Sequence, residues 1–222
     1  DGDWVKAKGT TLGADNGIGV ATIMGLLAST TIPHPAIEAL FTIDEETGMT
    51  GAINLEPGLL EAGMMLNLDT EEDNELTIGC AGGIDVTANG NYIENAPAPN
   101  SLACSITVKG LTGGHSGMDI HKGRGNANKL MNRILSYISE NVALEIASID
   151  GGSLRNAIPR ESKAVVCFPD DSKALFKDKL NEITEILKAE NNITDSTLAI
   201  EAAEIEVPHK VMPVIQGNNF LK

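Results

Sequence analysis

The chain has 222 residues, 42% of them hydrophobic but only 3% aromatic, and a formal net charge of −15. So acidic a surface argues against nucleic acid and anionic membranes as partners, and no apolar run approaches the ~20 residues of a membrane span. The acid excess reads first as a soluble acidic surface and only second as a set of divalent-metal sites.

Taken in chain order, residues 16–29 set Ile18, Val20, Ile23, Leu26 and Leu27 at helical spacing behind an Ala14-Asp15-Asn16 turn, which predicts a helix. Residues 36–43 and 64–68 are short, nearly continuous apolar runs that predict buried strands. A helix broken at Pro57-Gly58 is expected over 49–60. Buried strands separated by helices predict an α/β layer with a mixed, mostly parallel sheet.

After Glu72 the texture changes. Short strands are expected over 76–80, 83–88, 101–108, 143–149 and 163–168, with long amphipathic helices over 124–139 and 172–188. That order suits a smaller α/β sandwich on an antiparallel sheet. The hinge lies between Gly79 and Gly90, giving domains over 1–84 and 85–222. Cys80, Cys104 and Cys167, odd in number and far apart, read as small core residues of a reducing, cytoplasmic protein. The opening Asp1-Gly2-Asp3-Trp4 is unlike a secretory leader, and the abrupt start and finish suggest an excerpt of a longer chain.

Acidic residues stand where strands should end: Asp15 in Gly13-Ala14-Asp15-Asn16-Gly17, then Asp44-Glu45-Glu46 after one apolar run, then Asp69 after the next. Ligands of α/β sheets bind at the carboxyl ends of strands, so these loops could converge. Gathered carboxylates repel unless a cation intervenes, and a divalent pair bridged by a carboxylate is one solution. Taken singly, Asp-Asn-Gly is usually a turn and Glu-Glu usually a solvated loop; it is their joint position after successive strand signals that points to a site.

The segments Gly9-Thr10-Thr11-Leu12-Gly13-Ala14-Asp15-Asn16-Gly17-Ile18-Gly19, Asp44-Glu45-Glu46-Thr47-Gly48 and Leu66-Asn67-Leu68-Asp69-Thr70-Glu71-Glu72 resemble the di-zinc aminoacylase and carboxypeptidase superfamily. Gly79-Cys80-Ala81-Gly82-Gly83, Gly113-Gly114-His115-Ser116-Gly117 and Leu154-Arg155-Asn156-Ala157-Ile158-Pro159-Arg160-Glu161 narrow the resemblance to bacterial aminoacyl-histidine dipeptidases. The resemblance implies part of a catalytic domain followed by part of a lid of dimerisation type. It implies a homodimer and small peptide substrates. It also implies two divalent metal ions, zinc with cobalt or manganese as alternatives, held by Asp15, Glu46 and Asp69. Glu45 would be the general base, Asp44 a supporting residue, and His115 a donor to the oxyanion in a partner's site. Arg155 and Asn156 would lie at the substrate end of the lid.

The family pattern also includes a His-x-Asp segment before the first motif and a histidine near the far C-terminus, which these residues lack. The expectation is therefore a carboxylate-only set, better suited to magnesium, calcium or manganese than to zinc, and poor activity of the 222 residues alone. Related hydrolases of tripeptides or N-acyl amino acids share this site chemistry. A non-catalytic assembly module is the alternative of another class. His34 reads as a loop residue, and His209 has no evident partner. His121 with Asp119 reads as exposed polar side chains on a glycine-rich loop before it reads as a metal site, and Gly123-Arg124-Gly125 lacks the Lys-Ser/Thr of a phosphate loop.

Overall fold

The computed structural model describes residues 2–3, 5–9, 15–70, 74–79 and 82–222. Thr10–Ala14 of the first motif, Glu71, Glu72, Cys80 and Ala81 lie outside the described residues. The chain divides into two units, Asp1–Asp85 and Val86–Lys222.

In the first unit, helix α1 (Gly17–Ala28) forms where the apolar spacing predicts it. Asn16 caps it, its Oδ1 accepting the Gly19 N–H at 2.8 Å, the preferred chemistry for a helix start. Two four-residue helices follow, α2 (Glu45–Gly48) and α3 (Thr50–Ile53), in place of most of the helix expected over 49–60. The runs 36–43 and 64–68, expected as buried strands, are unpaired here. Phe41 is 50% and Leu66 87% exposed. A parallel strand is buried only when neighbours pair on its edges and helices cover its faces, and none of the described residues does this for either run. The segments 76–79 and 83–88 likewise form no strand. Among the described residues, every buried apolar side chain belongs to the second unit.

That unit is built on strands β1 (Ser101–Lys109), β3 (Glu145–Gly151), β5 (Ser162–Pro169) and β6 (Ala199–Ile205), in the antiparallel order β3-β5-β1-β6. A two-stranded ladder of β2 (Gly114–His115) and β4 (Ala157–Ile158) stands apart from that sheet. Alternation sends Cys104, Ile106 and Val108 of β1 into the main core with Ala164, Val166 and Phe168 of β5. Helices α4 (Ala127–Ser139) and α5 (Lys173–Glu190) add Leu130, Met131, Ile134, Leu135 and Ile138, and Phe176, Leu180, Ile183 and Leu187, to the same core. Ala103 and Cys167 join Val211 in a smaller cluster. Cys104 and Cys167 are free and buried, as expected of apolar fillers. Burial first, with the nearby Glu145 charge second, pushes the Cys167 thiol up to about 11. β6 and the terminal helix α6 (Val214–Phe220) are elements that the sequence pattern did not announce.

Candidate functional site

Two of the three acidic segments meet in the first unit through Asn16. While its Oδ1 caps α1, its Nδ2 donates to the Leu68 carbonyl at 2.7 Å, tying the Asp15 turn to the residue before Asp69. A Cβ at Gly19 would strike the Asn16 side chain, with Nδ2 at 2.6 Å, so only glycine leaves this bridge intact. In the middle segment, Asp44 sits in the left-handed region at φ 59° and accepts from the hydroxyls of Thr47 and Thr50. Those bonds hold its carboxyl below the usual range. Asp44 is thereby spent on the turn, and Glu45 and Glu46 open the helix after it.

The charges of Glu45, then Asp15, push the Glu46 carboxyl above its usual range, with weaker contributions from burial, a hydrogen bond to Asp15 and the Asp69 charge. Glu45, Asp15 and Asp69 thus all act on the Glu46 carboxyl. Among the described residues, no three His, Cys, Asp or Glu side chains form a ready metal cage. The mutual repulsion nevertheless suits a divalent cation in charge and in ligand type.

In the second unit, β2 and β4 pair Gly114 with Ile158 and His115 with Ala157. The Ser116 N–H donates to the Asn156 carbonyl at 2.7 Å. This brings His115 beside Asn156, with Arg155 lining a shallow groove that also touches Ser116, Asn126 and Asn128. The His115 ring is exposed, and its Nδ1 accepts the N–H groups of Gly117 and Met118 at 3.0 and 3.1 Å. An Nδ1 engaged as acceptor leaves the proton of the neutral ring on Nε2.

Asp119, weighed from sequence as a metal partner of His121, is committed elsewhere. Its carboxylate accepts from Lys122 Nζ at 2.6 Å and the His115 N–H at 2.8 Å, and lies 3.4 Å from Arg124 Nη1. Lys122 first, then the His115 N–H, lowers its carboxyl to about 2. Arg124 Nη1 also donates to the Gly113 carbonyl at 2.6 Å. Gly114 has φ 141°, and a Cβ there would run into Arg124 and Asp119.

The neck of this loop closes on Asp195, only 1% exposed, whose carboxylate accepts the N–H groups of Thr112 at 2.8 Å and Gly125 at 2.7 Å. Burial alone would raise that carboxyl, but these N–H groups and the Thr194 and Thr112 hydroxyls outweigh it and hold it low. Nothing in the sequence around Asp195 distinguishes it from an ordinary surface acid, because the N–H groups it binds lie 70 to 83 residues away.

Residues 106–195 match the family model of the peptidase dimerisation domain. Over 200 residues the chain is 46% identical to the cytosol non-specific dipeptidase of Escherichia coli strain K12, covering 90% of this chain and 41% of that protein. The aminoacylhistidine dipeptidase structure from Vibrio alginolyticus matches 100% of this chain and 45% of its own, at 43% identity and a TM-score of 0.74. The chain is a homologue of these two dipeptidases. It spans less than half the length of these two relatives. The uncharacterized protein YqjE of Bacillus subtilis strain 168 is 27% identical over 194 residues, 84% of this chain and 46% of that protein. With the sandwich of the second unit, the likeness to the Vibrio dipeptidase bears out the α/β class expected from the sequence.

Proposed function

We propose that the whole protein to which these residues belong is a metal-dependent dipeptidase acting on unblocked dipeptides, Xaa-His among them. The observation that carries this reading is the Asn16 bond to the Leu68 carbonyl, which brings the Asp15 and Asp69 segments together, with the Glu45, Asp15 and Asp69 charges raising the Glu46 carboxyl in support. The name and kinship of the dipeptidase relatives support the same substrate class.

In this reading Asp15, Glu46 and Asp69 hold a pair of divalent ions, with the remaining ligands supplied from outside these residues. When bound, the ions polarise the peptide carbonyl and lower the pKa of water at the site. Zinc is the metal the resemblance implies, and cobalt or manganese also suit a carboxylate-rich set. Glu45 takes the proton of the attacking water and returns it to the leaving amine. His115 donates its Nε2–H, in a partner subunit's site, to the carbonyl oxygen as negative charge develops there. Arg155 and Asn156 bind the substrate end beside it.

The second unit carries a homodimer interface, consistent with its match to a dimerisation domain. We place the reaction in the cytoplasm, as the name of the Escherichia coli relative suggests for that protein. A non-catalytic assembly module is the competing reading, favoured by the lack of a ready three-donor cage among the described residues.

The deciding experiment replaces Glu45 by Gln in the intact protein. Turnover of β-alanyl-histidine should fall about 10²- to 10⁴-fold, the usual share of a positioned acid–base group, while bound metal is retained. Unchanged turnover would remove the base, and absence of turnover in the intact wild-type protein would favour the module. Acetylated amino acids assayed in parallel separate a dipeptidase from a deacylase.

A further inference from the structure

Every polar group of His115 except ring Nε2 is engaged within its own loop. Its N–H donates to the Asp119 carboxylate at 2.8 Å, and its carbonyl accepts the Asp119 N–H at 3.0 Å. Ring Nδ1 accepts from Gly117 and Met118, residues lying inside the turn that Asp119 closes. Asp119 is in turn held by Lys122 on one side and approached by Arg124 on the other, and Arg124 is anchored to the Gly113 carbonyl. The bond to His115 therefore has a charged acceptor in a half-buried setting, the stronger kind of hydrogen bond. Asp119 thus holds the histidine from both sides: its carboxylate takes the His115 N–H and approaches Arg124, which is anchored two residues before the histidine at Gly113, while its main-chain N–H closes the turn on the His115 carbonyl.

We propose that Asp119 is a positioning residue for His115, closing the 115–119 turn so that two backbone N–H groups pin Nδ1 and the imidazole presents Nε2–H outward. This rests on His115 being the oxyanion donor of the proposed reaction. Asp119 never touches substrate and acts through the turn alone. Replacing its carboxylate removes the tie to the His115 N–H and to Arg124, leaves the Asp119 N–H as the turn's remaining closure, and so loosens the hold of Gly117 and Met118 on Nδ1 and weakens the bias toward one tautomer.

The test reads the ring directly. With ¹⁵N-histidine in the full chain, long-range ¹H–¹⁵N spectra report the ratio of Nε2–H to Nδ1–H forms at His115, assigned by its loss in His115→Gln. The wild type should show the Nε2–H form almost alone, and Asp119→Ala should lower the ratio about tenfold, roughly what losing one or two hydrogen bonds implies. Asp119→Asn, isosteric but uncharged, should fall between them; if Asp119→Ala does not fold, Asp119→Asn decides by itself. A wild-type ratio in whichever folded variant is measured overturns the positioning role. In the intact enzyme Asp119→Ala should lower kcat with little change in KM, and an equal loss through KM alone would also count against it. The underlying reading is tested separately: if His115→Gln leaves kcat unchanged, the oxyanion role falls, while the tautomer ratio still decides what Asp119 does to the ring.

Discussion

The charge states of single residues make testable statements in both units. Asp119 has a carboxyl lowered to about 2 by Lys122 and the His115 N–H, against about 3.9 for an unfolded Asp. A depressed carboxyl contributes stability that is present above the unfolded value and lost as pH falls through the folded one. The His115 loop should therefore stay ordered to about pH 4 and loosen toward pH 2, and a ¹³C titration of Asp119 should show a midpoint near 2. Glu46 runs the other way. The Glu45, Asp15 and Asp69 charges raise its carboxyl, so it opposes folding once ionised. The first unit should lose stability as pH rises through the Glu46 titration, and divalent cations should reverse that loss. Glu46→Gln should flatten this pH dependence while weakening metal binding, measured by calorimetric titration. A wild-type unit as stable at pH 7 as at pH 4 without metal would contradict the gathering of these carboxylates.

At the scale of elements, the second unit is where burial decides stability. Ile134 of α4 is fully buried in the main core, and truncation at such sites leaves a cavity. Ile134→Ala should cost about 2–5 kcal/mol in chemical denaturation, whereas Ile186 of α5, 38% exposed, should tolerate Ala with a far smaller loss. The neck clamp predicts a different signature. Asp195→Ala leaves the Thr112 and Gly125 N–H groups without their acceptor, which should cost about 1–3 kcal/mol. Hydrogen exchange should then quicken at those two amides before the β1–β5 ladder is affected.

Over the whole molecule the two units differ in kind. The second holds the sheet, its covering helices and all buried apolar side chains among the described residues. The first holds short helices and apolar runs left open. Amide exchange should accordingly be slowest in β1, β5, α4 and α5, and fast over 36–43 and 64–68, where no ladder bonds protect the backbone. Equal protection in both units would refute this division. If the second unit forms a homodimer, sedimentation of the 222-residue chain should depend on its concentration.

What the amino-acid order determined by itself is local or periodic. α1, α4 and α5 follow from apolar spacing, and the Asn16 cap from its place before Gly17. β1, β3 and β5 follow from alternation and β-branched content. The three acidic segments could be picked out because each follows a distinctive local pattern. Tertiary structure decided the rest. Runs 36–43 and 64–68 read as buried strands because their composition says apolar, yet whether an apolar run is covered depends on neighbours that composition cannot name. Asp119 and Asp195 look like surface acids until folding brings Arg124, Thr112 and Gly125 to them. A hydrogen bond between distant residues leaves no period in the sequence, because its geometry exists only once the chain has closed the loop that joins them.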